Sequence, residues 1–276
     1  MKILIGNQNK NDEQLTQAIV NAKDGDIIEL MPGTYFSSTD PFICTIRRNI
    51  SFVGKTENKN DVRLFCSFTV GEQNIIIFKN LAISYTANED NTLSAYDGAR
   101  IYGDNISINR QTVDDWDTIY GKDAYFSFKD SQILTGRKVK AIGLSLENSQ
   151  LFADNTSIQL LLQKHSKAYL KDSFVYHKLE LRQTSTLDFH NLSIDSTGSP
   201  TKNDLAVKGY SRMNGQDLIF INDAPAIRIL KSKFKVDNFQ PKTNEIHFKF
   251  DDVSTIEADG KLPFNEGPSD AKKNNN

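Results

Sequence analysis

Cysteine is nearly absent from this 276-residue chain: Cys44 and Cys66 stand alone. They form no metal-ligand spacing and no disulfide framework, so both are expected to be reduced packing residues. Apolar runs are short, and none approaches the roughly 20 residues that a membrane-spanning helix needs. Net charge is scarce too. Thirty-three basic against 35 acidic residues leave −2, which removes bulk attraction to nucleic acid or to an acidic membrane as an expectation. The four histidines, His165, His177, His190 and His247, are scattered in sequence, so they predict neither a shared metal site nor a triad. There is no phosphate-cradling glycine motif, nucleophile elbow or zinc pattern. The opening MKILIGNQNKNDEQ has a short apolar run without a small-residue cleavage site after it, and it reads as a cytoplasmic start rather than a signal peptide.

What the chain has is a repeat. The stretch 117–134 contains three short alternating runs separated by polar corners, with the spacing apolar-x-apolar-x-Asn/Asp-x-x-apolar at Phe126, Phe128, Asp130 and Ile133. The same spacing recurs at Ile76/Phe78/Asn80/Ile83, Leu144/Leu146/Asn148/Leu151, Ala168/Leu170/Asp172/Val175 and Leu187/Phe189/Asn191/Ile194. Looser copies centre on Asn49, Asn105, Asp217, Asn238 and Asp252. Recurrence at this interval marks a solenoid, each unit a coil of three strands. The step from Asn238 to Asp252 is too short for three strands, so one of that pair is misplaced. Expected first strands are 64–69, 93–96, 117–120, 139–142, 158–162, 179–182, 205–208 and 227–230. Asn and Asp suit the sharp corners because they tolerate a left-handed backbone and can hydrogen-bond along a stack.

Ahead of the coils, Leu15, Ala18, Ile19 and Ala22 fall at helical spacing behind Asp12, predicting an amphipathic helix over 12–22 that caps the apolar first coil. The domain reading is one elongated unit over 1–264 and a polar tail, disordered or a linker, over 265–276. Only the short segment 261–264 is available as a lid, so another domain or subunit is expected to cover the last coil.

A family resemblance enters at the helix followed by Gly25-Asp26-x-Ile28-x-Leu30 and then Pro32-Gly33-Thr34-Tyr35. This segment resembles the opening of the right-handed parallel β-helix proteins of the pectin lyase-like superfamily. The resemblance implies an all-β fold, a right-handed parallel β-helix of about nine to ten coils with a short N-terminal capping helix. It also implies that any active site lies on the outer face of the first sheet. Strand alternation puts Asp97, Asp117, Lys138, Lys140, Gln159, Glu180, Arg182, Lys208 and Arg228 on that face, acidic at one end and basic from the middle onward.

The segment around Asp117 is also similar to a pectin methylesterase stretch in which Asp117 would match the first catalytic aspartate. The second carboxylate is missing, however, because Lys140-Ala141-Ile142-Gly143 stands where that family carries its nucleophile. For lyase chemistry the catalytic candidates are Asp117, Arg182 and Lys208, with calcium as the one cofactor that reading would add. Asp114, Asp115 and Asp117 are the candidate ligands for it. Trp116 is a candidate sugar-stacking ring beside Asp117. The favoured expectation is a non-catalytic recognition or scaffold module without a cofactor, binding an acidic glycan or an acidic protein surface, as the first domain of a longer intracellular protein. A polysaccharide lyase or hydrolase acting on a uronate-containing glycan is the alternative.

Overall fold

Each coil is built from three alternating strands, and each strand pairs in parallel with its counterpart in the coils above and below. The computed structural model describes residues 1–6, 11–110, 116–135, 142–197, 203–243 and 246–259. Their 23 strands wind a β-solenoid of about nine turns. Three long sheets result. Sheet I contains Phe42–Ile46, Leu93–Tyr96, Ile119–Lys122, Leu144–Glu147, Leu205–Lys208, Ala226–Leu230 and His247–Phe250, together with the segments 66–70, 160–163 and 179–181 of longer, bent strands. Sheet II runs from Lys2–Ile5 through Asp26–Leu30, Tyr125–Lys129 and Gln150–Asp154 to Thr255–Ala258. Sheet III closes each coil, as at Gln132–Thr135.

Period-two alternation sends one side chain of each pair inward. Ile101, Phe126, Leu151, Ala168, Leu187 and Met213 form one such inward stack, all buried. Bulk at one inward position is matched by its absence at a neighbouring one. A Cβ on Gly121 would lie 2.3 Å from the Phe126 ring, and one on Gly103 would lie 2.7 Å from Phe128. These two glycines therefore open the space that two core phenylalanines fill.

The corner between sheets II and III is the position that the sequence pattern reports. Asn80, Asn105, Asp130, Asn155, Asp172, Asn191, Asp217 and Asn238 all have φ between 46° and 60° there. They join in pairs, each asparagine amide donating to the acceptor of the coil before it: Asn105 to Asn80 (2.9 Å), Asn155 to Asp130 (2.6 Å), Asn191 to Asp172 (2.8 Å) and Asn238 to Asp217 (2.5 Å). Three expected corners belong elsewhere. Asn49, Asn148 and Asp252 lie between sheets I and II, so Leu144 and Leu146 are a first-sheet strand and Asn155 is the corner of that coil. The first strand expected over 139–142 is replaced by Leu144–Glu147, and 139–141 lie outside the described residues.

A second ladder runs inside the corner between sheets I and II. Buried Ser149, Ser166, Ser211 and Ser232, and half-buried Ser254, each accept, through Oγ, the backbone N–H of a residue one coil earlier. Backbone groups that turn away from the strand ladders are thereby satisfied.

The predicted helix is present as Asn11–Asn21, with Leu15, Ala18 and Ile19 buried against the first coil. Asp12 lies inside its first turn, where its Oδ1 accepts the Phe36 N–H at 2.7 Å. Arg48 donates to the carbonyls of Val20 and Ala22 at the helix C-terminus. The expected lid 261–264 and tail 265–276 lie outside the described residues.

Candidate functional site

The first-sheet face is organised by a buried carboxylate. Glu180 follows Leu179 in sheet I, and alternation turns it outward; it is nonetheless only 1% exposed. Three cations cover it. Lys178 pairs with its Oε2, while Arg182 Nε (2.5 Å) and Lys208 Nζ (3.0 Å) reach Oε1. Burial alone would raise the Glu180 pKa, but hydrogen bonds from Arg182, Lys178 and Lys208 outweigh it and hold the carboxyl at about 2. The carboxylate is thus ionised throughout the neutral range, with three cationic side chains around it.

Cationic character continues up the sheet. Glu180, Ala206, Arg228 and Lys249 are lateral neighbours on successive coils. Ala206 is fully covered, whereas Arg228 is partly exposed and keeps a buried Nε without a hydrogen-bond partner among the described residues. The carboxylate beside this row, Asp204, is engaged with the backbone, its Oδ2 accepting the Ala226 N–H at 2.7 Å.

Asp117 is placed differently from the expectation. It sits at the corner ahead of Ile119–Lys122, partly buried, and its Oδ1 accepts the Ile142 N–H at 2.7 Å. Burial raises its pKa to about 6, opposed by that hydrogen bond, by one from Ser145 and by the charge of Arg110. Outward on the same strand stands Tyr120, whose ring lies 5.8 Å from Tyr96 and whose hydroxyl burial pushes up to about 12. Trp116 is 42% exposed, and its Nε1 donates to the Asn88 carbonyl at 3.2 Å. Asp97 is a corner residue rather than a face residue, with φ 53°. Lys138, Lys140, Asp114 and Asp115 lie outside the described residues. Among the described residues, no three His, Cys, Asp or Glu side chains converge as metal ligands.

Gln159 also leaves the expected face. It is 6% exposed and lines a cleft of about 370 Å³ at the corner between sheets III and I, with Thr135, Tyr176, His177, Asp195 and Thr197. Three coils separate Asp117 from Glu180, about 14 Å at ~4.8 Å per coil, so the structure brings together Glu180, Arg182 and Lys208 and leaves Asp117 and Trp116 apart. Lys178, a member of the cluster, was missed because the expected strand began at Leu179; the observed strand runs Lys167–Leu181, and within it Lys178 shares the parity of Glu180. Free Cys44 and Cys66 are buried, and burial pushes the Cys44 thiol up to about 11. Among the described residues no helix is long and apolar enough to cross a membrane.

No protein-family model matches the sequence, and no curated protein matches it. Solved structures do show similarity. The PL6-family alginate lyase AlyGC is 11% identical, with a TM-score of 0.40 over 93% of this chain, which spans 39% of that protein's length. An alginate lyase from Paenibacillus sp. str. FPU-7 is 10% identical, with a TM-score of 0.37 over 92% of this chain and 99% of its own. A family 28 exopolygalacturonase of Yersinia enterocolitica is 10% identical, with a TM-score of 0.38 over 97% of this chain and 78% of its own. The parallel β-helix of this chain stands on its own strand pairing, coil upon coil.

Proposed function

We propose that this chain is a binding module for an acidic carbohydrate, whose carboxylates are received by the cations on the outer face of sheet I. The observation that carries the reading is Glu180: a buried, ionised carboxylate that fixes Lys178, Arg182 and Lys208 while leaving them in charge excess. Cations held in place lose little side-chain freedom when an anion arrives, which favours binding. Arg182 and Lys208 stay 45% and 28% exposed at their side chains, open to a ligand. Arg182 offers a planar fork suited to a carboxylate. Arg228 and Lys249 continue the positive row one coil at a time, a spacing that suits a polymer carrying repeated negative charge.

The same geometry argues against acid–base catalysis by Glu180. A carboxyl held at about 2 neither gives nor takes a proton at neutral pH. Asp117 titrates in a useful range, but it lies three coils from Glu180 and caps the Ile142 N–H. One observation favours a second reading, lyase chemistry on the same glycan. His177, next to Lys178 in sequence, lines the cleft between sheets III and I together with Tyr176 and Asp195.

Calorimetric titration with polygalacturonate and polymannuronate, run beside an ultraviolet assay for unsaturated uronate product, tests both. The expected result is binding without product, weakened about tenfold in Lys208→Ala, as loss of about 1.4 kcal/mol would give. Product that disappears in Arg182→Ala would establish the lyase instead. Equal affinity for a neutral polysaccharide would overturn recognition by charge.

A further inference from the structure

We infer that the outer face of sheet II is a second track for an acidic polysaccharide, laid along the long axis of the solenoid. The ligand class rests on the proposed function; the location does not. Two neighbouring rows make the track. The first is Arg100, Tyr125, Gln150, Lys167, Thr186, Arg212 and Lys233, each the lateral neighbour of the next. It holds four exposed cations and no carboxylate. None of the four forms a side-chain ion pair among the described residues. The contrast with the far edge of the same sheet is direct, because there Lys79 pairs with Asp104 at 2.9 Å and Lys171 with Asp154 at 3.7 Å.

The second row is Ile77, Tyr102, Ser127, Phe152 and Tyr169. Ile77, Phe152 and Tyr169 are 40%, 39% and 38% exposed. Phe152 and Tyr169 stack at 5.5 Å with 15° between their planes, and Tyr102 lies 5.7 Å from Tyr125. Beside the first row, at the corner between sheets I and II, a groove of about 490 Å³ is lined by Arg100, Tyr102, Asp123, Tyr125, Asn148 and Gln150.

Aromatic faces in a line beside unpaired cations and amide groups match three features of one ligand: the apolar face of a sugar ring, its carboxylate and its hydroxyls. A protein partner would call for a broader apolar patch than this single-residue stripe flanked by ions.

The test is affinity electrophoresis of the full chain through polygalacturonate, through a neutral polysaccharide and through single-stranded DNA. Two paired variants address sheet II, Phe152→Ala with Tyr169→Ala and Arg100→Glu with Lys167→Glu; Lys208→Glu addresses sheet I. Each sheet II pair is expected to weaken polygalacturonate retardation about tenfold with unchanged circular dichroism and melting temperature, and adding Lys208→Glu is expected to weaken it further. Sheet II variants that bind like the parent while Lys208→Glu loses binding would overturn the second track and leave the first reading standing. No loss in either set would overturn both. Stronger retention by single-stranded DNA would overturn the ligand class.

Discussion

Glu180 shows how one residue can fix the chemistry of a surface. Its folded pKa of about 2 lies below the ordinary carboxylate value of 4.5, so its contribution to stability is complete above about pH 4.5 and is lost as pH falls toward 2. Glu180→Gln leaves three cations around a neutral amide. Removing one partner from a buried ionic group is expected to cost about 3 kcal/mol at pH 7, and the difference should vanish near pH 2; urea unfolding at a series of pH values measures it. Asp117 runs the other way. Its pKa is raised to about 6, so the folded state binds the extra proton between about pH 4 and 6, and stability falls as pH rises through that window. Asp117→Asn keeps an acceptor for the Ile142 N–H and removes the ionisation. The variant should match the parent at pH 4 and exceed it by roughly 1 kcal/mol at pH 7, after discounting for solvent at a partly exposed group. Equal stabilities at both pH values would show that the carboxyl is not held up by burial.

Among the elements, the corners carry most of the specificity. Asn155 combines a φ of 46° with an amide that donates to Asp130. Asn155→Ala loses both tolerance of that conformation and the hydrogen bond, so a cost of about 2 kcal/mol is expected. Asn155→Gly keeps the conformation and should cost about half as much. If thermal denaturation shows equal losses for the two, the conformational part of the argument fails.

These corners also explain what could be read in advance. Apolar-x-apolar-x-Asn/Asp was legible because sheet II and its left-handed corner demand it in almost every coil. It misled at Asn148 because the corner between sheets I and II accepts the same residue types: Asp97, Asp123 and Asn148 have positive φ there too. The serine ladder escaped notice because serine is common and a buried Oγ one coil away leaves no local pattern. Outward positions were harder still. A strand that bends into the next sheet resets the alternation, and so Gln159 points into a corner cleft while Glu180 and Lys208 share a cluster.

At the scale of the whole molecule, stacking turns small per-coil preferences into continuous faces. The apolar interior continues from Leu15 under the capping helix to Phe248. Outside it lie two cationic strips, one on sheet I anchored by Glu180 and one along sheet II, on a chain whose net charge is only −2. Composition could not report them, since each strip is balanced by acidic residues elsewhere. The helix, the coils and the parallel sheets were all accessible from spacing; the partitioning of charge between faces required coordinates.

The central claim is that the Glu180-centred face receives carboxylates, and the most direct measurement is a site-resolved NMR titration of the labelled chain with an oligogalacturonate. The account predicts the largest saturable shifts at 178–182, 206–208 and 226–230, diminishing as salt is added. Shifts absent from those segments at saturating ligand, or equally large with a neutral oligosaccharide, would contradict it.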